Sequence, residues 1–351
     1  MRHVKKKIFL ATSKAFESSL LHGSNKWTVH NDSEKCSKES ISYISYTTTL
    51  TLHTCNPENE FACDNAFCVK MEKRCDGRED CENGSDEQDC GKLIIKPGYK
   101  KSLTPVPEGE EKTLVNVSLN IRDILKINEL TEVFTVQMSL KREWFDRRLT
   151  YKHLKQDSDM NYLTLEESEA IWYPRVDFNN VEDENKWQKT AIENIHKVIP
   201  ANDFTYRPKN NMHLFNGSEN ALSLTKDWSV EWICHYTLAW YPFDTQVCTM
   251  EFSSSRHFTK LQPSHLEHNH NITLRRYTLD RIEMCTSETD GRDHLVVKVT
   301  LGRPIISNIL TVFIPTITLL AISFIARFFA KAFIDMVIQV NLTILLVLAT
   351  L

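Results

Sequence analysis

The 351 residues carry 42 basic and 46 acidic side chains, a net charge of −4, and are 41% hydrophobic. That balance gives no electrostatic ground for nucleic-acid binding, and no nucleophile–base pair, phosphate loop or catalytic metal motif marks an enzyme. A chain of this length holds two or three domains, and ten cysteines, most of them clustered, indicate an oxidising compartment.

Sequons at Asn31, Asn83, Asn116, Asn216 and Asn271 all precede the apolar end and agree with that compartment. Asn116, Asn216 and Asn271 are the glycosylation candidates. Met1–Lys7 is basic, but Ile8-Phe9-Leu10-Ala11 is too short for the apolar part of a signal peptide, so the start reads as incomplete. Residues 1–53, rich in Ser, Thr and Lys without a period, read as a disordered or extended leader.

Six cysteines then fall close together: Cys55, Cys63, Cys68, Cys75, Cys81 and Cys90. So small a segment cannot fold on apolar burial alone, so disulfides and an ion are expected to replace the core. The acidic run C-D-G-R-E-D-C-E-N-G-S-D-E-Q-D-C supplies hard oxygen ligands suited to calcium. The cysteines alone allow fifteen pairings. With F-A-C at 61–63, F-C-V at 67–69, C-D-G at 75–77 and S-D-E at 85–87, residues 54–91 resemble the LDL-receptor class A module. The resemblance implies the pairs Cys55–Cys68, Cys63–Cys81 and Cys75–Cys90. It also implies a structural calcium held by Asp76, Asp80, Asp86 and Glu87 and by the backbone carbonyls of Lys73 and Arg78.

Residues 99–303 alternate apolar and polar side chains, as in 114–121, 134–140 and 294–301, with turn residues between. This pattern predicts a β-sandwich. Cys234 and Cys248 enclose H-Y-T-L-A-W-Y-P-F-D-T-Q-V, a small loop if bridged. H-L-E-H-N-H at 265–270 gathers His265, Glu267, His268 and His270, with His257 nearby. Imidazoles there suit zinc or proton sensing, against the simpler reading of a solvated loop. No charge interrupts Pro304–Ala326, long enough to span a bilayer. A second apolar run begins at Met336, and its sixteen residues reach about 24 Å, short of the roughly 30 Å hydrocarbon core. The chain therefore reads as ending inside a second helix. There Gln339, Thr343, Leu346 and Thr350 share one helical face, the pattern of a pore lining or of plain helix packing.

Residues 95–351 resemble a subunit of the Cys-loop pentameric ligand-gated ion channels. The resemblance rests on Y-K-K-S-L-T-P-V (99–106), W-F-D-R-R-L (144–149), I-W-Y-P (171–174), the Cys234–Cys248 loop with Pro242 and Asp244, Gly302-Arg303-Pro304, and Ile314-Pro315. It implies an Ig-like extracellular ligand-binding domain over 95–303. A partial membrane domain over 304–351 follows, with helices at about 305–329 and 334–351. It further implies a plasma-membrane homo- or hetero-pentamer gated by a small-molecule or ion agonist bound between β-sandwich domains. Glu129, Asp244 and Arg303 would couple binding to the pore. Ser139, Arg175, Phe178, His257 and Phe258 are the ligand-binding candidates. Ser139 and Ser255 stand where the family places aromatics and Arg175 replaces an aspartate, so acetylcholine is not the expected agonist. Asp335, in A-F-I-D-M-V, matches neither family selectivity pattern. Cys36 and Cys285 have no assigned partner. The competing reading is a binding or endocytic receptor that captures protein or lipoprotein through the class A module. It would need neither the coupling residues nor a pore face.

Overall fold

The computed structural model describes residues 11–13, 23–31, 44–56, 59–182, 188–189, 195–201, 208–209, 212–254, 258–270, 272–274, 276–289, 292–326, 328 and 334–350. They fall into two compact units. The first comprises 1–105, 144–172 and 194–224, and the second 106–143, 173–193 and 225–351.

In the first unit the described parts of residues 1–53, read as a disordered or extended leader, are paired strands. Gly23–Asn31 pairs antiparallel with Ile44–Leu52, and Ala11–Ser13 adds a third strand. Ile44–Leu52, I-S-Y-T-T-T-L-T-L, is mostly β-branched and aromatic residues that suit a pleated surface. Opposite it, Trp27 is only 6% exposed. The hairpin reaches the cysteine module, where Ser24 N–H donates to the Asp64 carbonyl at 2.7 Å.

Within the module the three disulfides pair as the class A resemblance implies. Its small core is Phe61, Cys63, Val69 and Cys81. Immediately after Cys90 the chain enters the strand Leu93–Ile95, which pairs with Leu149–Lys152. Asp146, fully buried, receives the Arg148 guanidinium at 2.8 and 2.7 Å and the Tyr99 hydroxyl at 3.1 Å. Gly217 lies against this turn. A Cβ there would overlap the Asp146 carbonyl oxygen, so only glycine fits.

His153 is buried with φ +57°, a left-handed conformation. Burial first, then the cationic Arg74 and Lys152, push its imidazole down to about 3. A histidine whose folded value lies below the unfolded 6.5 stabilises fully above pH 6.5 and loses that contribution as pH falls. Stability against thermal unfolding should therefore fall below pH 6.5, by up to about 1.4 kcal/mol per pH unit from this group. His153→Asn, which tolerates the left-handed backbone, should flatten that slope. An unchanged slope in the variant would show that another group governs it.

The second unit is a sandwich of two sheets. One runs Gln188–Lys189, Ala221–Ile233, Val133–Trp144, Thr113–Asn128, Thr259–His268, the last pair parallel; Lys197–Ile199, in the first unit, pairs with Ala221–Ser223 at the start of the long strand. The other runs Val176–Phe178, Gln246–Ser254, Arg292–Gly302, Thr278–Thr289, all antiparallel. The core between them is aromatic. Phe178 meets Trp228, Trp232 and Phe252 at centroid distances of 5.2–5.4 Å. Each strand places every second side chain inward, so the alternation read from the sequence becomes this core. A helical segment follows over 305–326, α-helical apart from a π-turn at Ile309–Phe313 that precedes Pro315. Ile305–Ile325 is long and apolar enough to cross a membrane. A second helix covers Ile334–Thr350.

Candidate functional site

The strand Arg292–Gly302 delivers Arg303 to the foot of the sandwich, one residue before Pro304 and the first apolar helix. Its side chain is 3% exposed. Arg303 Nε donates to both Asp244 oxygens at 2.7 and 2.9 Å. Nη2 donates to Glu129 Oε1 at 3.1 Å and to the Tyr277 hydroxyl at 2.8 Å. The Tyr277 hydroxyl in turn donates to Glu129 at 2.7 Å, and Gln246 Nε2 donates to Asp244 at 2.6 Å. The guanidinium also lies 4.8 and 4.5 Å from the Tyr241 and Tyr277 ring centres. Burial acts to raise the Asp244 carboxyl, but the bonds from Arg303 and Gln246 outweigh it and hold it below its usual range. Burial first, then its bond to Glu129, raises the Tyr277 phenol, so it stays a neutral donor.

The structure thus brings together Glu129, Asp244 and Arg303, as expected. It adds Tyr277, Gln246 and Tyr241, whose spacing in the chain gives no hint of the meeting. Four separate elements converge on one cation: the turn after Thr113–Asn128, the Cys234–Cys248 loop, the approach to Thr278–Thr289 and the end of Arg292–Gly302. The loop is closed by the Cys234–Cys248 disulfide. That bond joins the end of Ala221–Ile233 to Gln246–Ser254, and so ties the two sheets together. At the loop tip Trp240 and Phe243 are exposed, and the Tyr241 ring stacks on Phe313 of the first apolar helix at 6.4 Å.

The ligand-binding candidates separate. Ser139 Oγ donates to Asp227 at 2.5 Å, and Arg122 pairs with the same carboxylate at 2.8 Å. Arg175 is exposed and faces Tyr173, on a turn fixed by buried Arg142, which donates to the Pro174 carbonyl at 2.7 Å. Burial pushes that arginine down to about 10. Phe178 is a correction: at 4% exposure it belongs to the aromatic core, because strand alternation turns it inward. Its neighbour Asn179 faces outward, accepting from Ser253 at 2.8 Å and bonding His294 at 2.9 Å. This polar trio escaped sequence reading because sheet order, not chain order, assembles it. Phe258 is exposed, and His257 lies outside the described residues.

The histidine stretch does not converge. His265 bonds Glu267 at 2.8 Å, and the His268 and His270 rings meet each other at 4.9 Å. Among the described residues, the group of such side chains close enough for one ion is Cys55, Glu60 and Cys68, whose sulfurs are already joined to each other. Cys285 is a free thiol, and Cys36 lies outside the described residues.

In the module, Asp76, Asp80, Asp86 and Glu87 lie within one short stretch of chain and are linked through backbone N–H groups. Asp86 is fully buried, and its Oδ2 accepts from Asp80 N–H at 2.7 Å. Its Oδ1 has no hydrogen-bond partner. Glu87 accepts from Asp76 N–H at 2.9 Å, Asp76 from Arg78 N–H at 3.0 Å, and Lys73 pairs with Asp80. A buried carboxylate oxygen left without a donor, among several others, fits a hard cation.

On the second helix, Val337, Val340, Asn341 and Ile344 are the more covered positions, and Asn341 accepts from Ser323 of the first helix at 2.6 Å. Gln339, Thr343 and Leu346 lie on another face and are exposed, with the Thr343 hydroxyl turned back to the Gln339 carbonyl. Thr350 ends the helix. Of the sequons, Asn216 is exposed at a turn, Asn116 is half-buried in mid-strand, and Asn271 lies outside the described residues.

Comparison with known proteins accords with this geometry. The neurotransmitter-gated ion-channel ligand binding domain matches residues 89–295, more than half the chain, and the low-density lipoprotein receptor domain class A matches residues 53–90. The chain is similar to a glutamate-gated chloride channel of Drosophila melanogaster, 23% identical over 68% of this chain and 50% of that protein. It is also similar to the acetylcholine receptor subunit delta of Rattus norvegicus, 25% identical over 48% and 28%, and to the glutamate-gated chloride channel subunit beta of Haemonchus contortus, 23% over 69% and 56%. The chain thus spans about half or less of the length of these relatives. With a two-sheet domain, a bridged thirteen-residue loop and a matched ligand-binding domain in one sequence, the chain belongs to the neurotransmitter-gated ion-channel family.

Proposed function

We propose that the chain is a subunit of an extracellular ligand-gated ion channel of the plasma membrane, assembled as a homo- or hetero-pentamer. A small-molecule agonist binds at the sandwich domain, and the Cys234–Cys248 loop passes its effect to the membrane helices. The observation that carries this reading is the Arg303 knot. One buried cation joins that loop, the Glu129 turn and the strand that enters the first apolar helix. A buried, fully hydrogen-bonded charge cluster resists gradual deformation and suits two discrete packings better than a continuum. A receptor that merely displays a class A module has no use for such a knot.

In this reading Gln339, Thr343, Leu346 and Thr350 line the pore, and Asn116, Asn216 and Asn271 are the glycan acceptors. The domains run 54–91, 95–303 and 304–351. Calcium, held by Asp76, Asp80, Asp86 and Glu87 with the carbonyls of Lys73 and Arg78, keeps the module folded.

The face carrying Asn179, Ser253 and His294 offers hydrogen bonds where a quaternary ammonium needs ring faces. The agonist is therefore expected to be a polar molecule with donors and acceptors, and acetylcholine to evoke no current. Voltage-clamp recording of the surface-expressed full protein, with a panel of amine and amino-acid transmitters and ion substitution, tests this. Robust acetylcholine currents would overturn the agonist assignment. A surface-expressed protein that passes no current, alone or with related subunits, would overturn the channel reading.

A further inference from the structure

The class A module is not displayed on a tether. Three ties bind it to the rest of the first unit, at Glu167, Lys152 and Lys155. The first is the chain itself: Lys92 and Leu93 N–H both donate to Glu167 Oε1, at 2.7 and 2.9 Å, directly after the last module cysteine. The second is Lys152, whose ammonium group donates to the Asp89 carboxylate at 3.0 Å and to its carbonyl at 3.3 Å. The third is Lys155, whose ammonium group donates to the Arg74 carbonyl at 2.5 Å and to the Glu72 carbonyl as well.

The positions of these acceptors matter more than their number. Glu72 and Arg74 flank Lys73, whose carbonyl is a calcium ligand in the reading given above. Asp89 stands two residues beyond Glu87, another ligand, in a left-handed turn at φ +53°. The two lysines therefore grip both ends of the loop that would close on the cation. Lys155 takes the carbonyls on either side of Lys73 and leaves that of Lys73 free. The seam is polar, and a cavity of about 160 Å³ remains in it, lined in part by Met71, Arg74, His153 and His213. Arg74 Nε and His153 Nε2 are buried there without hydrogen-bond partners. Such a seam is held by directed polar contacts rather than by apolar burial, so it responds to the order of the groups that make those contacts.

We propose that the class A module is docked on its own ligand-binding domain through Lys152 and Lys155, and that this docking and calcium binding by the module strengthen each other. Calcium fixes the Lys73 carbonyl and so orders its neighbours Glu72 and Arg74 as acceptors for Lys155. Reciprocally, the lysines pre-order the loop for the ion, since coupling between two binding events is necessarily mutual. Extracellular calcium would then set how firmly the module caps the domain, independently of whether the channel opens.

The test uses the full chain in lipid nanodiscs. Amide hydrogen exchange is followed at 71–75 and 150–156 with calcium or with chelator, and calcium affinity is measured by chelator competition. Calcium is expected to slow exchange in both segments of the wild-type chain. Lys152→Met/Lys155→Met should bind calcium more weakly, on the order of 5-fold or more, and 150–156 should no longer respond. Asp86→Asn should abolish the response in both segments. Exchange at 150–156 insensitive to calcium in the wild-type chain would overturn the proposal without any variant being needed. So would an unchanged or tighter calcium affinity in the lysine variant, or an absence of calcium binding altogether.

Discussion

Replacing Arg303 by glutamine is expected to destabilise the second unit by about 3–5 kcal/mol, the range for removing one member of a buried ion cluster. The substitution leaves Asp244, whose side chain is 3% exposed, without its cation. It also leaves Glu129 without its ionic partner and Tyr277 without one of two partners. Asp244→Asn should cost less, because Arg303 keeps Glu129 and Tyr277. Arg303→Lys should rescue only partly, since one ammonium group cannot reproduce the donation to both Asp244 oxygens. Thermal unfolding in nanodiscs ranks the three, and equal melting temperatures for wild type and Arg303→Gln would refute the assignment. The pH window follows from the carboxyl. A folded value held below the usual one contributes stability above the unfolded value of about 3.9, and loses it as pH falls through the lower folded value. The knot is therefore pH-silent near neutrality, whereas His153 acts from about pH 6.5 downward. Acid titration should separate the two: an early loss removed by His153→Asn, and a late one removed by Asp244→Asn.

What the sequence disclosed, and what it hid, follows from how local each feature is. Strands such as Thr113–Asn128 and Val133–Trp144 were legible because alternation is a property of neighbours. The class A disulfides were legible only through the resemblance, since six cysteines by themselves allow fifteen pairings. Glu129, Asp244 and Arg303 were legible only through the resemblance, since they are separated by more than fifty residues. Tyr277 was not, because a tyrosine before a strand carries no signal until the sheet brings it beside Arg303. Phe178 misled because only inward alternation shows that it fills the core. The segment before Cys55 misled in the opposite sense. Its Ser/Thr content masks a run of β-branched threonines that pairs once a hairpin partner is found.

Removing the Cys234–Cys248 bond by paired alanine substitution is expected to cost about 3 kcal/mol, the loop-closure value for a ring of this size. The loop would not dissolve. Thr237 N–H donates to Gln246 Oε1 at 3.0 Å, Gln246 Nε2 donates to the Thr237 carbonyl at 2.9 Å, and Cys234 N–H donates to the Glu132 carbonyl at 2.8 Å. What the substitution removes is the covalent link between the sheets at the place where Asp244 is held out toward Arg303. The two perturbations share a loop, so they should not add. In a double-mutant cycle the cysteine substitution should cost at least about 1 kcal/mol less in the Arg303→Gln background than in wild type. Additive costs would mean that the disulfide stabilises the sandwich alone and does not hold the Arg303 knot. Coupled costs would mean that the knot depends on the bridge, so that a pull on the loop reaches Arg303, and through Pro304 the first membrane helix, as a single mechanical element.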